Sequence, residues 1–203
     1  MYIPAIYKNE NQEDIKKFIA ENGFAILVNQ TNAKLWATHI PLILDENEAG
    51  KAILVGHISK ENPQGESFKT NTEVLAIFTG VHSYISSSWY DHENVPTWNY
   101  VAVHVYGKVK TLNLEEATKS LKKLVDKYEA TSEKPLRIED LSKQTMLQAR
   151  GITAFEIEIT GIEAVKKMSQ NRDAKNHQNI ISELEKTGCP NSILVAQEMS
   201  KKP

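Results

Sequence analysis

The chain has 203 residues, 24 Lys and Arg against 26 Asp and Glu, and a formal net charge of -2; this leaves no global attraction to a polyphosphate chain, so contact with DNA would need a local patch or a partner. A hydrophobic fraction of 40% and a charged fraction of 25% exclude disorder and fibrous architectures and suit one domain with helical appendages. The single cysteine, Cys189, closes no intrachain disulfide, no apolar run approaches the ~20 residues of a membrane helix, and Met1-Tyr2-Ile3-Pro4 opens no leader pattern, so a cytoplasmic protein without a membrane partner is expected.

In chain order, Asn11 opens a segment with apolar residues at Ile15, Phe18 and Ile19 that Asn22-Gly23 closes, which predicts a short amphipathic helix with a left-handed stop. Strands are predicted over 23–29, 35–44 and 51–59, the last two joined as a hairpin by the acidic turn Asp45-Glu46-Asn47-Glu48-Ala49-Gly50. A fourth strand is expected over 73–79. In a fifth, over 99–110, Val101, Val103, Val105 and Val109 face one way and Tyr100, Ala102, His104, Tyr106 and Lys108 the other. Asn113, with Glu116 three positions on, forms a capping box for a helix over 113–128 striped by Ala117, Leu121, Leu124, Val125 and Tyr128. A second helix over 138–150 ends at Gly151. The sixth strand covers 152–159, with Phe155, Ile157 and Ile159 inward, and 173–186 and 192–199 read as helices. Strands come early and in hairpin order while helices cluster late, which excludes an alternating βαβ wind. The expectation is a mainly β protein with peripheral helices, a split β-barrel over 1–172 followed by a helical tail over 173–203.

No dinucleotide-binding, P-loop, zinc-protease, Cys-x-x-Cys or nucleophile-elbow motif occurs. Four polar or aromatic clusters at strand ends stand out instead. Ala37-Thr38-His39-Ile40-Pro41 places a hydroxyl and an imidazole on opposite faces of one strand. Gly56-His57-Ile58-Ser59-Lys60-Glu61-Asn62-Pro63 runs from a strand into a turn where hydroxyl, ammonium and free backbone N–H groups could hold a phosphate, or which is simply an Asx-Pro surface bend. Tyr84-Ile85-Ser86-Ser87-Ser88-Trp89-Tyr90 and Val95-Pro96-Thr97-Trp98-Asn99-Tyr100 combine flat apolar side chains with in-plane donors, suited to a planar ring, an aromatic plug or a dimer interface. Lys166-Lys167-Met168-Ser169-Gln170-Asn171-Arg172 gathers cations and amides that suit an anionic ligand, a dimer contact or a solvated loop. His39, His57 and His104 lack the spacing of metal ligands, so no metal site is expected and a core or cofactor-lining role is the better reading.

Taken together and in order, Met1-Tyr2-Ile3-Pro4, Ala37-Thr38-His39-Ile40-Pro41, Gly56-His57 with Asn62-Pro63, Phe78 and Gly80 leading into Ser83-Tyr84-Ile85-Ser86, then Ser88-Trp89-Tyr90, Val95 to Tyr100, His104 and Gly107, and Lys167 with Ser169-Gln170-Asn171-Arg172 resemble the PaiB family across nearly the whole chain. Members of that family are described as FMN-binding negative transcriptional regulators. The resemblance implies an FMN-binding split barrel, akin to pyridoxamine 5′-phosphate oxidase and flavin reductases, with FMN between the subunits of a homodimer. It further implies that Ser59, Lys60 and Asn62 grip the phosphate, that Thr38, His39 and His57 line the phosphate or ribityl chain, that Trp89, Trp98 and Asn99 address the ring or the seam, and that Ser169, Gln170 and Arg172 close the site. Ser87 stands where many relatives have a proline, which removes a rigid φ from that loop. The implied role is a negative regulator of transcription; the alternative is an FMN-dependent oxidoreductase that uses NAD(P)H, for which the flavin itself would carry the hydride chemistry.

Overall fold

A computed structural model describes residues 1–70 and 72–201. The N-terminal segment forms a 3-10 turn over Ala5–Tyr7 and the expected helix α1 over Gln12–Glu21. Four strands follow: β1 Phe24–Thr31, β2 Lys34–Pro41, β3 Ile43–Glu46 and β4 Ala52–Ser59. After a 3-10 segment over Pro63–Thr70 come β5 Glu73–Ile85, β6 Thr97–Thr111, helix α2 Leu114–Glu129 and β7 Ile152–Lys167, and the described chain closes with α4 Ala174–Lys186 and α5 Pro190–Ser200. One sheet holds all seven strands in the order β2-β1-β5-β6-β7-β4-β3, the mainly β architecture with peripheral helices expected from sequence.

The hairpin expected between 35–44 and 51–59 is corrected in one respect. The first run is two strands, not one: β2 pairs antiparallel with β1, whereas β3, beginning two residues after β2 ends, pairs with β4. Those partners lie at opposite ends of the sheet order. A flat sheet of this size would separate its edges by roughly 29 Å at the usual strand spacing of ~4.8 Å, yet the step from Pro41 to Ile43 reaches only about 7 Å. The two edges are therefore neighbours, and the sheet is rolled into a barrel with its corner at Leu42. Gly56 on β4 makes that corner possible, because a methyl group there would stand 2.6 Å from Leu42 Cδ2 and 3.2 Å from the Pro41 carbonyl. Within 35–44 the one local mark of the turn is Pro41, which has no N–H to give to a ladder and ends β2.

Three other boundaries move. The strands expected over 73–79 and 152–159 continue past Gly80 and Gly161 to Ile85 and Lys167. The helix expected over 138–150 is instead a 3-10 turn over Ile138–Asp140, the single helical turn α3 over Lys143–Met146, and a 3-10 turn over Leu147–Gly151. None of these turns buries a residue, and the Ser142 hydroxyl accepts from the Thr145 N–H to start a new turn. With no apolar face to pack, local capping wins over helix propagation.

The chain divides into two compact units, one made of residues 19–78 and 104–162, the other of 1–18, 79–103 and 163 onward. In the first, Leu27, Leu42, Leu54, Phe68, Phe78, Phe155 and Ile157 are fully or almost fully buried and fill the barrel. Helix α2 lies on this unit: Lys123 pairs with Asp45 of edge strand β3, and Lys127 donates to the Ala20 carbonyl at 2.7 Å. The Asn113 capping box is present, with Asn113 Oδ1 accepting from the Glu116 N–H at 3.0 Å and Glu116 Oε2 accepting from the Asn113 N–H at 2.8 Å. Asn113→Ala is expected to cost about 1 kcal/mol, read as a lower urea midpoint at an unchanged slope.

In the second unit, α4 and α5 bury Ile180, Ile181, Leu184, Val195, Ala196 and Met199 against Ile85, Tyr90 and Met168, with Val81, Trp89 and Val101 packed around them. Asp173 caps α4 through the Asn176 N–H at 3.0 Å. The segment after 172 thus shares a core with strand residues of β5 and β6; its positions 202 and 203 lie outside the described residues.

Candidate functional site

The turn after β4 is built by internal hydrogen bonds. The Lys60 N–H donates to Gly151 O at 2.9 Å, Glu61 N–H to Ser59 Oγ at 3.2 Å, Asn62 N–H to Ser59 O at 3.0 Å, Gln64 N–H to Asn62 Oδ1 at 3.0 Å and Gly65 N–H to Asn62 O at 3.0 Å. Pro63 has no N–H. The expectation of free backbone N–H groups is therefore overturned: Gly151 takes that of Lys60, the Ser59 hydroxyl that of Glu61, and an Asx turn followed by a 3-10 turn consumes the rest. What remains for an anion is side-chain chemistry. Ser59 and Lys60 are exposed at the strand end. Ser59 Oγ accepts from Glu61 N–H, which leaves its own hydrogen to donate, and Asn62 uses one amide hydrogen, to Thr38 Oγ1 at 2.9 Å, and keeps the other.

Thr38 joins this turn from β2, donating to Gln64 Oε1 at 2.6 Å. His39, its neighbour, points to the opposite face of β2, is exposed, and stacks on Phe24 with centroids 6.1 Å apart. It does not join the cluster. His57 is half-buried on β4, two residues before Ser59 and hence on the same face, opposite Ala154 of β7. Burial depresses its pKa below that of an ordinary imidazole. A histidine held neutral in the fold loses nothing above its unfolded pKa of about 6.5, but on acidification the unfolded chain binds the proton first. Stability should therefore fall as pH drops through about 6.5 and level off below the depressed folded value. Thermal melts at about pH 7.5 and 5.5 should differ more for the wild type than for His57→Gln.

The remaining candidates lie in the other unit. Trp98 on β6 is 53% exposed and forms a patch with Tyr84 and His82 of β5, at ring separations of 5.9 Å and 6.2 Å. Trp89, in a 3-10 turn over Ser87–Trp89, is half-buried against the helical core instead of joining that patch. Asn99 is 0% exposed, with Oδ1 accepting from Ser169 Oγ at 3.1 Å and Nδ2 on Met199 Sδ at 3.4 Å. Ser169 is buried too and adopts a left-handed φ of 56°, a conformation that costs about 1 kcal/mol for a non-glycine residue and is held here by the bond to Asn99. Gln170 spends its amide on the backbone, donating to Lys166 O at 2.7 Å and Ile6 O at 3.2 Å while accepting from Met168 N–H at 2.7 Å. These three shape the turn after β7. The group that this turn presents is Arg172, whose guanidinium lies 5.0 Å above the ring of Tyr90. Tyr90 is buried with its hydroxyl unpartnered. Nearby, Lys167 donates to Thr97 Oγ1, and burial together with the positive charge of Arg172 lowers its pKa.

The structure thus brings Thr38, Ser59, Lys60 and Asn62 together around one turn, with His57 on the adjoining strand. It brings Asn99 and Ser169 together as a buried pair. Gln64, which joins the first group and is wholly buried, escapes any reading of sequence, because a glutamine after Asn62-Pro63 looks like one more polar loop residue. Among the described residues, no three His, Cys, Asp or Glu side chains are grouped to hold a metal, and no helix is long and apolar enough to cross a membrane.

Comparison with known proteins adds three findings. Residues 1–161 match the family described as "Putative FMN-binding domain". A relative from Bacillus subtilis, "Protease synthase and sporulation protein PAI 2", is 39% identical over 203 residues, covering 100% of this chain and 98% of its own. Among solved structures, the FAD and heme binding protein from Mycobacterium smegmatis superposes with a TM-score of 0.64 at 14% identity, covering 85% of this chain and 78% of that one. The flavocytochrome Anf3 from Azotobacter vinelandii does so with 0.64 at 12%, covering 87% and 78%. At such identities the likeness establishes the fold.

Proposed function

The chain belongs to the PaiB family of FMN-binding split-barrel proteins, and from that premise we propose that it binds FMN as a symmetric homodimer in the cytoplasm and acts as a negative regulator of transcription. The residues present fit the cofactor by the chemistry of their donors. Ser59, Lys60 and Asn62 offer a hydroxyl, an ammonium and an amide hydrogen at one turn, the combination that holds a phosphate dianion, and Glu61, the one acid of the turn, is exposed. The other unit, taken by itself, carries uncovered flat rings at Trp98 and Tyr84, the kind of surface on which an isoalloxazine stacks. Bound FMN supplies a two-electron redox centre; the protein supplies position and electrostatics. The observation that carries the cofactor reading is the anchored Thr38-Asn62 turn, with its backbone committed and its side-chain donors spare. The regulatory reading is supported by the end-to-end likeness to a protein named for protease synthesis and sporulation.

A second reading, an FMN-dependent oxidoreductase that uses NAD(P)H, is favoured by one observation. Helices α4 and α5 are joined by the short turn Thr187-Gly188-Cys189, with Gly188 at a φ of 67°, the one helix-turn-helix-like connection in the described chain. Yet α5, read as PNSILVAQEMS, carries no Lys or Arg. A recognition helix without cations forgoes the phosphate contacts that dominate DNA affinity, so DNA contact would fall to another patch or to a partner. The two readings separate on one purified sample. The regulator predicts flavin absorbance together with retardation of a promoter fragment that weakens steeply with salt; the oxidoreductase predicts bleaching of the flavin by NADPH and no retardation. Colourless protein that fails to take up added FMN sinks both.

A further inference from the structure

We propose that Gln64 is the positioning residue of the phosphate end of the flavin site, aiming the Thr38 hydroxyl and through it the Asn62 amide, and that it thereby selects the phosphorylated flavin over riboflavin. The inference rests on the FMN reading above and deepens it.

Gln64 is 0% exposed, so it cannot touch a ligand itself and must act through its neighbours. Its side chain is committed at both ends: Nε2 donates to the Leu27 carbonyl of β1 at 3.0 Å and Oε1 accepts from Thr38 Oγ1 at 2.6 Å. A carboxamide so fixed has one orientation, since a flip would set its NH2 against the Thr38 hydroxyl and its oxygen against a carbonyl. Thr38 has one hydrogen to give, and Gln64 takes it. The hydroxyl oxygen is thereby turned to accept from Asn62 Nδ2 at 2.9 Å, and that bond sets the plane of the Asn62 amide, whose Oδ1 accepts from the Gln64 N–H at 3.0 Å. The loop is closed: Gln64, Thr38 and Asn62 each fix the next, and Asn62 N–H holds Ser59 O at 3.0 Å. The same residue is braced from behind, where the Gln64 carbonyl accepts from Ser67 Oγ at 2.9 Å and Ser67 Oγ accepts from Asn29 Nδ2 at 2.6 Å. A buried polar network of this kind is costly where a member lacks a partner, as Asn29 Oδ1 does at its outer end, and rigid where every member has one, as at the Gln64 carboxamide and the Thr38 hydroxyl. Here its rigid output is the spare hydrogen of Asn62 and the turn that presents Ser59 and Lys60. Pre-set donors bind an oxyanion without first being ordered.

The test uses the full chain in four forms, wild type, Gln64→Met, Thr38→Val and the double variant, with dissociation constants for FMN and riboflavin read by flavin fluorescence and a thermal melt to confirm folding. Gln64→Met is expected to weaken FMN about tenfold, the effect of one misaimed charge-assisted hydrogen bond, while riboflavin moves by less than about twofold. Thr38→Val should show the same FMN-selective loss, and the double variant little more than either single change, because the two act through one path. Should Gln64→Met fail to fold, Thr38→Val carries the decision by the same criterion. Equal weakening of both flavins, or FMN affinity unchanged in both single variants, overturns the inference. Lys60→Ala keeps this distinct from the parent reading: if it weakens FMN while Gln64→Met and Thr38→Val do not, only the positioning role falls, and if the wild type binds no FMN, the parent reading falls with it.

Discussion

Replacing Ser59 and Lys60 together by Ala is expected to raise the FMN dissociation constant about a hundredfold while riboflavin binding stays within about twofold. Two side-chain donors are removed from a dianion. Hydrogen bonds to charged groups contribute about 1.5–3 kcal/mol each in proteins, but Ser59 and Lys60 are both exposed, and solvent screening brings each to roughly 1.4 kcal/mol, just under that range. The sum of roughly 2.7 kcal/mol is the hundredfold loss. The backbone N–H groups of residues 60, 62, 64 and 65 are engaged by Gly151 and within the turn, and the variant frees only that of Glu61, held by Ser59 Oγ, so no amide nest stands ready to replace the lost donors. The exposure of Lys60 adds a second readout: its share of the effect should shrink between about 0.05 M and 0.5 M salt, as screening shortens the reach of an exposed charge. Loss of both flavins in equal measure would place the damage in the fold and not at the phosphate; no loss at all would move the phosphate elsewhere.

Gly107→Ala is expected to be the most damaging single change to stability, about 3 kcal/mol or more, a drop in melting temperature of roughly 6–12 °C. The added methyl would stand 2.4 Å from Ile157 Cγ2 and 2.5 Å from the Glu158 carbonyl oxygen. A side chain can swing away, but a backbone oxygen of β7 can retreat only if the strand pair parts, and Ile157 is fully buried. The neighbouring control is Gly151→Ala, where nothing lies within 4 Å of the new methyl and a change within about 0.5 kcal/mol is expected. Matched losses in the two variants would mean that the close approach of β6 to β7 is not what Gly107 provides.

Both predictions concern residues that stand out in sequence, yet for reasons that sequence does not contain. Ser59 and Lys60 catch the eye as a polar strand end; that the surrounding amides are spent internally depends on the φ and ψ of an Asx turn and on Gly151 arriving from a segment distant along the chain. Gly107 belongs to an ordered set of motifs; its partner atoms lie fifty residues on. The family resemblance implies that Asn99 addresses the ring or the seam and that Ser169 closes the site. In the single chain they are buried against each other, and no periodicity reports a bond between positions seventy residues apart.

The amino-acid sequence by itself determined where most strands begin, the capping box of α2, the mainly β class and the family, since these depend on alternation, local hydrogen bonds and ordered motifs within a few residues of one another. Only the tertiary structure decided that the chain turns a barrel corner at Leu42, that 138–150 breaks into separate turns, and that Gln64 is the buried hub of the turn carrying Ser59, Lys60 and Asn62. Each of these is settled by atoms far apart in the chain: the missing methyl of Gly56, the want of an apolar face to pack, and a carboxamide shared between Leu27 and Thr38. Local patterning fixes which way a side chain points, whereas what it meets there follows only once the sheet has closed.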